Sequence, residues 1–143
     1  MAKTATIRVR DVMTPNPIGL PPSASAREAA KAMRYSDVGA VVVADGNGVC
    51  GIVTDRDIVI RALADGRDPE STKLDEICSR DPSGCSPDDG LDRAVALMRD
   101  KSVRRLLVSD GSKAVGIISL GDLAQRLDRS SVLGEISSAK PNH

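Results

Sequence analysis

Two short patterns place a hydroxyl three residues before a carboxylate: Thr54-Asp55-Arg56-Asp57 and Ser119-Leu120-Gly121-Asp122. Each closes a glycine-led apolar run, Gly51-Ile52-Val53 or Gly116-Ile117-Ile118, and each leads into a segment with helical spacing. Such a pair suits two tasks. As a capping box, the hydroxyl accepts from the backbone N–H three residues on while the carboxylate reaches back to the first N–H. As part of a binding site, the two groups hold a polar ligand where a helix begins and free N–H groups favour an anion. Spacing alone favours the cap, which stabilises by about 1 kcal/mol. Gly51 and Gly116 would admit close backbone approach where a side chain would obstruct it.

Other chemistries find little support. The only histidine, His143, is terminal, so a histidine-based triad or general base is not expected. Asp55 and Asp57 have oxygens that suit a metal, but a hydrated helix start explains them better. Gly46-Asn47-Gly48 lacks the Lys-Ser/Thr that a phosphate loop needs and reads as a hairpin turn. Cys50, Cys78 and Cys85 form no CxxC pair or disulfide framework and read as core residues in a reducing cytoplasm.

The elements that must position the two patterns occur twice. Arg10 to Met13 reads as a helical turn broken by Thr14-Pro15-Asn16-Pro17, and Ile18-Gly19-Leu20 as a short strand. Ser25 and Glu28 have capping-box spacing. The helix they open sets Ala26, Ala29, Ala30 and Met33 on one stripe. Val38 to Ala44 reads as a buried strand and Val49 to Val53 as its return. The polar stretch 65–73 reads as a linker. The series then restarts: Leu74 to Ile77, Gly84, the stripe of Leu91, Ala94, Val95 and Met98, the strand Val103 to Val108, and its return Val115 to Ile118. At a constant offset of 65, residues 9–61 match 74–126 with fourteen identities and no gap. The expected organisation is therefore one β-α-β-β-α unit over 8–64, a second over 74–129, and a tail over 130–143, in which Ser130 to Ile136 could add a turn of helix. A unit of this kind cannot bury both faces alone, so two must share a core.

This paired arrangement resembles a tandem CBS-domain pair, or Bateman module, over residues 9–128. The likeness rests on the paired units, the turn before each first strand, the hairpins, and the glycine–apolar–x–apolar–Thr/Ser–x–x–Asp motif. The resemblance implies an α/β (α+β) fold whose two units are related by a pseudo-twofold axis and packed sheet to sheet. It implies a non-catalytic regulatory module with clefts for AMP, ADP, ATP or S-adenosylmethionine. Thr54 and Ser119 match the hydroxyl position, and Asp57 and Asp122 match the carboxylate that accepts from both ribose hydroxyls. With almost no aromatic residues, an adenine would lie between aliphatic side chains: Ile18, Val41 and Val43 in one copy, Ser83, Leu106 and Val108 in the other. Arg56, Arg104 and Arg105 are candidates to pair with phosphate through planar guanidinium groups. The chain also resembles free-standing actinobacterial stress- and hypoxia-associated CBS proteins, and a homodimer acting on an unidentified regulated protein is implied. The alternative is a dimeric interaction module with vestigial, empty clefts.

Composition narrows the partners. Twenty basic residues balance twenty acidic ones, which gives no electrostatic reason to expect nucleic acid. Tyr35 is the only aromatic residue, too few to stack single-stranded bases. No signal peptide is expected, since the basic N-terminus lacks an apolar stretch, and no run reaches the roughly 18 residues of a membrane span.

Overall fold

The computed structural model describes residues 7–80 and 84–126. The expected elements appear in the order of the repeat, and each copy adds a two-residue strand not expected from the sequence, at Thr14–Pro15, read there as a break, and at Ser79–Arg80. The first copy contains α1 (Val9–Val12), β1 (Thr14–Pro15), β2 (Gly19–Leu20), α2 (Ala26–Ser36), β3 (Ala40–Asp45), β4 (Gly48–Thr54) and α3 (Asp55–Asp57). α3 continues as a π-helical stretch, Ile58–Leu63. The second copy contains α4 (Leu74–Ile77), β5 (Ser79–Arg80), β6 (Gly84–Cys85), α5 (Leu91–Lys101), β7 (Arg105–Asp110), β8 (Lys113–Ser119) and α6 (Leu120–Arg126). The expected turn of helix at Ser130 to Ile136, the tail 130–143 and the Ser83 position lie outside the described residues, as does His143.

Local chemistry explains the boundaries. Ser25 and Glu28 form a complete capping box: Ser25 Oγ accepts from Glu28 N at 3.0 Å, and Glu28 Oε1 from Ser25 N at 3.0 Å. α2 and α5 both end on a non-glycine residue in the left-handed region, Asp37 (φ 56°) and Ser102 (φ 56°). The buried stripe of α2 is Ala26, Ala29 and Met33, with Ala32 packed beside it. Ala30 does not join it and is exposed, because the stripe turns towards Ala32. In β3, Ala40 to Val43 are all buried, as the unbroken apolar run requires.

The sheets reveal an arrangement that the repeat does not predict. One four-stranded sheet has the order β2-β3-β4-β5 and the other β1-β8-β7-β6. β2 runs parallel to β3 across the α2 crossover, and β6 parallel to β7 across α5. The outer strand beside β4, however, is β5 from the second copy, and the one beside β8 is β1 from the first. Two compact units result. The first comprises residues 17–80 and 112–114; the second comprises 7–16, 84–111 and 115–126. The sequence units 8–64 and 74–129 describe the repeat, whereas the packing exchanges the opening segments of the two copies.

Paired hydrogen bonds enforce the exchange. Leu74 N donates to Ala24 O at 2.9 Å and Asp75 N to Pro22 O at 3.1 Å. At the same offset, Val9 N donates to Asp89 O at 2.9 Å and Arg10 N to Pro87 O at 3.0 Å. The free N–H groups at the start of each short helix are thereby satisfied by the other copy's loop. Arg10 and Arg8 also form ion pairs with Asp88, which holds that carboxyl below its ordinary range. The stretch expected as a linker, 65–73, is tied to the start of α2. Ala26 N donates to Thr72 O at 2.8 Å and Arg27 N to Pro69 O at 3.1 Å, so this stretch closes the start of α2, and Thr72 is buried.

Each unit has its own aliphatic core. Val41, Val43, Val53, Leu74 and Ile77 pack together in the first; Val9, Leu106, Val108, Ile118 and Leu123 in the second. Cys78 and Cys85 are buried core residues, and Cys50 is partly buried against the first core. Burial pushes the Cys78 thiol up and the Cys85 thiol up to about 11, so both stay protonated near neutrality.

Candidate functional site

Each hydroxyl–carboxylate pair sits where a central strand passes into a helix. In the first unit, Thr54 ends β4 and Asp57 ends the first turn of α3. Thr54 Oγ1 accepts from Asp57 N at 3.1 Å, and Asp57 Oδ2 accepts from Thr54 N at 2.9 Å. In the second unit, Ser119 Oγ accepts from Asp122 N at 3.1 Å and Asp122 Oδ2 from Ser119 N at 2.9 Å. Both pairs are thus complete capping boxes, despite aspartate being shorter than the usual glutamate. The cap uses Oδ2 and leaves Oδ1 out of the box in both copies. The Asp57 side chain is only 13% exposed, so its second oxygen lies in a sheltered position.

The residue preceding the neighbouring strand also fixes the helix start. Asp55 N donates to Gly39 O at 3.0 Å, and at the same offset Leu120 N donates to Arg104 O at 2.9 Å. The backbone at Gly39 and Arg104 therefore adjoins the two motifs. Arg104 is exposed just before β7, and Arg105, the first residue of β7, is half-buried. Arg56 is exposed between Thr54 and Asp57 and forms no ion pair among the described residues.

Two groups of expected site residues have different surroundings from those a binding wall needs. Val41, Val43, Leu106 and Val108 have no exposed surface. Strand alternation turns them into the cores, so they are not available to an adenine ring in this structure. Ile18 is half-buried at the edge of the first core and retains accessible surface. The glycines meet the protein's own chain. A Cβ built on Gly51 would collide with the Ser79 carbonyl oxygen and lie 3.1 Å from Cys78 Sγ. One on Gly116 would collide with Met13 Sδ and lie 2.9 Å from Thr14 O. The close approach admitted at each glycine is made by the exchanged strand.

An open recess of about 250 Å3 lies elsewhere in the first unit, lined in part by Pro17, Gly19, Val42 and Ala44. It sits towards the β3–β4 hairpin, at the opposite end of β4 from Thr54, and none of its lining residues is charged. No group of three or more metal-ligating side chains occurs among the described residues, and no described helix is long and apolar enough to cross a membrane.

Spacing does not point to one further residue. Arg61 Nη1 donates to Ile77 O at 3.2 Å and contacts Cys78 O at 3.5 Å, while its Nε lies 3.9 Å from Asp57 Oδ1. A signal for it does exist in the sequence, since Arg126 stands at the same place in the second copy.

Two mixed four-stranded sheets, each with a hydroxyl–carboxylate cap at a strand-to-helix junction, make a paired α/β module. The CBS-domain family model matches residues 9–63 and 74–129, and the chain belongs to the CBS-domain family. It is 38% identical over 116 residues to CBS domain-containing protein YhcV of Bacillus subtilis, covering 81% of this chain and 82% of that protein. It is 31% identical over 106 residues to hypoxic response protein 1 of Mycobacterium tuberculosis, covering 73% and 74%. Among solved structures, it is similar to hypoxic response protein I, which was crystallised with two coordinated zinc ions. The TM-score is 0.74 at 29% identity, over 85% of this chain and all of that one. It is also similar to a hexameric CBS-CP12 protein from bloom-forming cyanobacteria, with a TM-score of 0.81 at 26% identity over 92% and 76% of the two chains.

Proposed function

We propose that this protein senses an adenosine-type ligand (AMP, ADP, ATP or S-adenosylmethionine) and acts by regulation rather than catalysis. The observation that carries the reading is the twice-built cap in a CBS pair, which leaves a sheltered carboxylate oxygen, Oδ1 of Asp57, outside the box. A carboxylate can accept from both hydroxyls of a ribose, and such charge-assisted bonds are the stronger kind. Thr54 and Ser119 supply the companion hydroxyls. Arg56 beside one motif, and Arg104 and Arg105 beside the other, would meet the phosphates of such a ligand. The ligand would act by favouring one arrangement of the module over another, to the benefit of a regulated protein. The unpaired cysteines fit a reducing cytoplasm.

A thermal-shift panel with AMP, ADP, ATP and S-adenosylmethionine tests this. At about 100-fold over Kd, a ligand adds about 2.7 kcal/mol, which raises Tm by several degrees. Asp57→Ala with Asp122→Ala is expected to abolish the rise while costing about 1 kcal/mol per cap. No shift with any of the four at millimolar concentration would reject sensing. Equal cap costs with unaltered partner capture would favour the interaction module with empty clefts.

We also propose that the chain pairs with a second copy through the π-helical stretch. Val59, Ile60 and Leu63 are 51%, 47% and 55% exposed. The second repeat has Ala124, Gln125 and Asp128 at these places, so its sequence does not repeat this apolar triplet. The hexameric state of the similar CBS-CP12 protein supports self-association. Ile60→Asp with Leu63→Asp is expected to halve the mass seen by sedimentation equilibrium; an unchanged mass would exclude this face.

A further inference from the structure

We infer that Arg61 is a positioning residue for the Asp57 carboxylate, tying it to the carbonyl oxygens at the end of α4. Asp57 and Arg61 are four residues apart on one continuous helical segment, where side chains are neighbours. Arg61 Nε lies 3.9 Å from Asp57 Oδ1, while Nη1 donates to Ile77 O at 3.2 Å and contacts Cys78 O at 3.5 Å. The planar guanidinium serves both directions at once, which the point charge of a lysine does not. Asp57 is thereby held from two sides: Thr54 N fixes Oδ2 at 2.9 Å, and Arg61 stands beside Oδ1. A ligand hydroxyl then meets an oriented carboxylate, and less side-chain freedom is lost on binding.

The repeat supplies an internal comparison. Arg126 stands four residues after Asp122, and its Nη1 lies 3.5 Å from Asp11 O in α1. Both copies therefore direct this arginine at a carbonyl of the exchanged short helix. Arg126 forms no ion pair with Asp122 among the described residues, so the two-sided hold is complete only in the first copy. The backbone differs too. The first copy is π-helical over Ile58–Leu63, with Ala64 N donating to Val59 O at 2.9 Å, whereas α6 is an ordinary α-helix over Leu120–Arg126. A π turn rotates the side chains that follow it, and such turns recur at functional sites.

The inference rests on the reading that Asp57 takes a sugar diol, and the experiment separates the two. ATP and 2′,3′-dideoxy-ATP are titrated calorimetrically into the full chain, as wild type, Arg61→Gln and Arg61→Lys, with Asp122→Ala present throughout to silence the second copy. Wild-type Arg61 should prefer ATP by about tenfold, the order of one charge-assisted hydrogen bond. Arg61→Gln should weaken ATP by that factor and leave dideoxy-ATP unchanged, while Arg61→Lys keeps part of the preference. Equal weakening of both ligands, or an unchanged preference, would overturn the inference. A ligand-free arm measures amide exchange at 77–80 in Asp57→Asn, Arg61→Gln and the double variant. Each single change should speed exchange by a similar factor and the double no further, because the two residues act as one unit. Independent, multiplying effects would overturn the inference by themselves. If the protein with wild-type Arg61 binds neither nucleotide, nor AMP, ADP or S-adenosylmethionine, the reading of Asp57 as a sugar-binding group fails, and the exchange arm still decides the role of Arg61.

Discussion

Gly51→Ala is expected to destabilise the protein by about 3 kcal/mol, the upper part of the range for inserting a methyl into a packed core. The added Cβ collides with the Ser79 carbonyl oxygen, a backbone atom held in place by the pairing of β5 with β4. Neither the carbonyl nor the strand has a rotamer with which to retreat. Moving it also separates the Gly51–Arg80 and Ile52–Ser79 pairings that complete the sheet. Gly116→Ala should be milder, because the first atom met is the flexible Met13 sulfur, although Thr14 O at 2.9 Å still resists. Denaturant midpoints measured side by side give the order. Equal and small losses would mean that the exchanged strands are not tightly held.

Leu74→Ala should be the costlier of the core truncations and reveals which unit owns α4. Leu74 has no exposed surface, and replacing such a leucine typically costs 2–5 kcal/mol, rising with the cavity left behind. It packs with Val41, Val43 and Val53, although its sequence copy is that of Leu106 and Val108. Native-state hydrogen exchange should therefore quicken first in β3 and β4. Val9→Ala, made in the other core, should quicken β7 and β8 instead. The reverse pattern would show that each copy keeps its own opening turn.

Much of the site was legible because its signals are local. A hydroxyl three residues before a carboxylate, after a β-branched run, specifies both a strand end and a cap, and both copies form as spacing predicts. The same property limits the inference to function. A cap forms whether or not a ligand binds, so the motif alone speaks for the fold more strongly than for occupancy. Val41 and Val43 were less legible. A continuous apolar strand buried on both faces carries no alternation to show which side meets a core and which meets a ligand. Arg61 left only the faint trace of an identity at the repeat offset. Its role depends on carbonyls 16 and 17 residues away.

Apart from the short strands β1 and β5 and the π-helical form of 58–63, the sequence by itself determined the repeat, the order of its main strands and helices, the aliphatic cores and the two caps. Each of these follows from hydrophobic period, capping chemistry or turn residues within a few positions of one another. Only the tertiary structure decided that α1 and β1 serve the second unit while α4 and β5 serve the first. The two docking positions are nearly equivalent in sequence, so local pattern cannot choose between them. Long-range hydrogen bonds, such as Leu74 N to Ala24 O and Val9 N to Asp89 O, make the choice. That choice explains Gly51 and Gly116, which leave room for the exchanged strands, and it brings the end of α4 to Arg61 and, through Arg61, to Asp57.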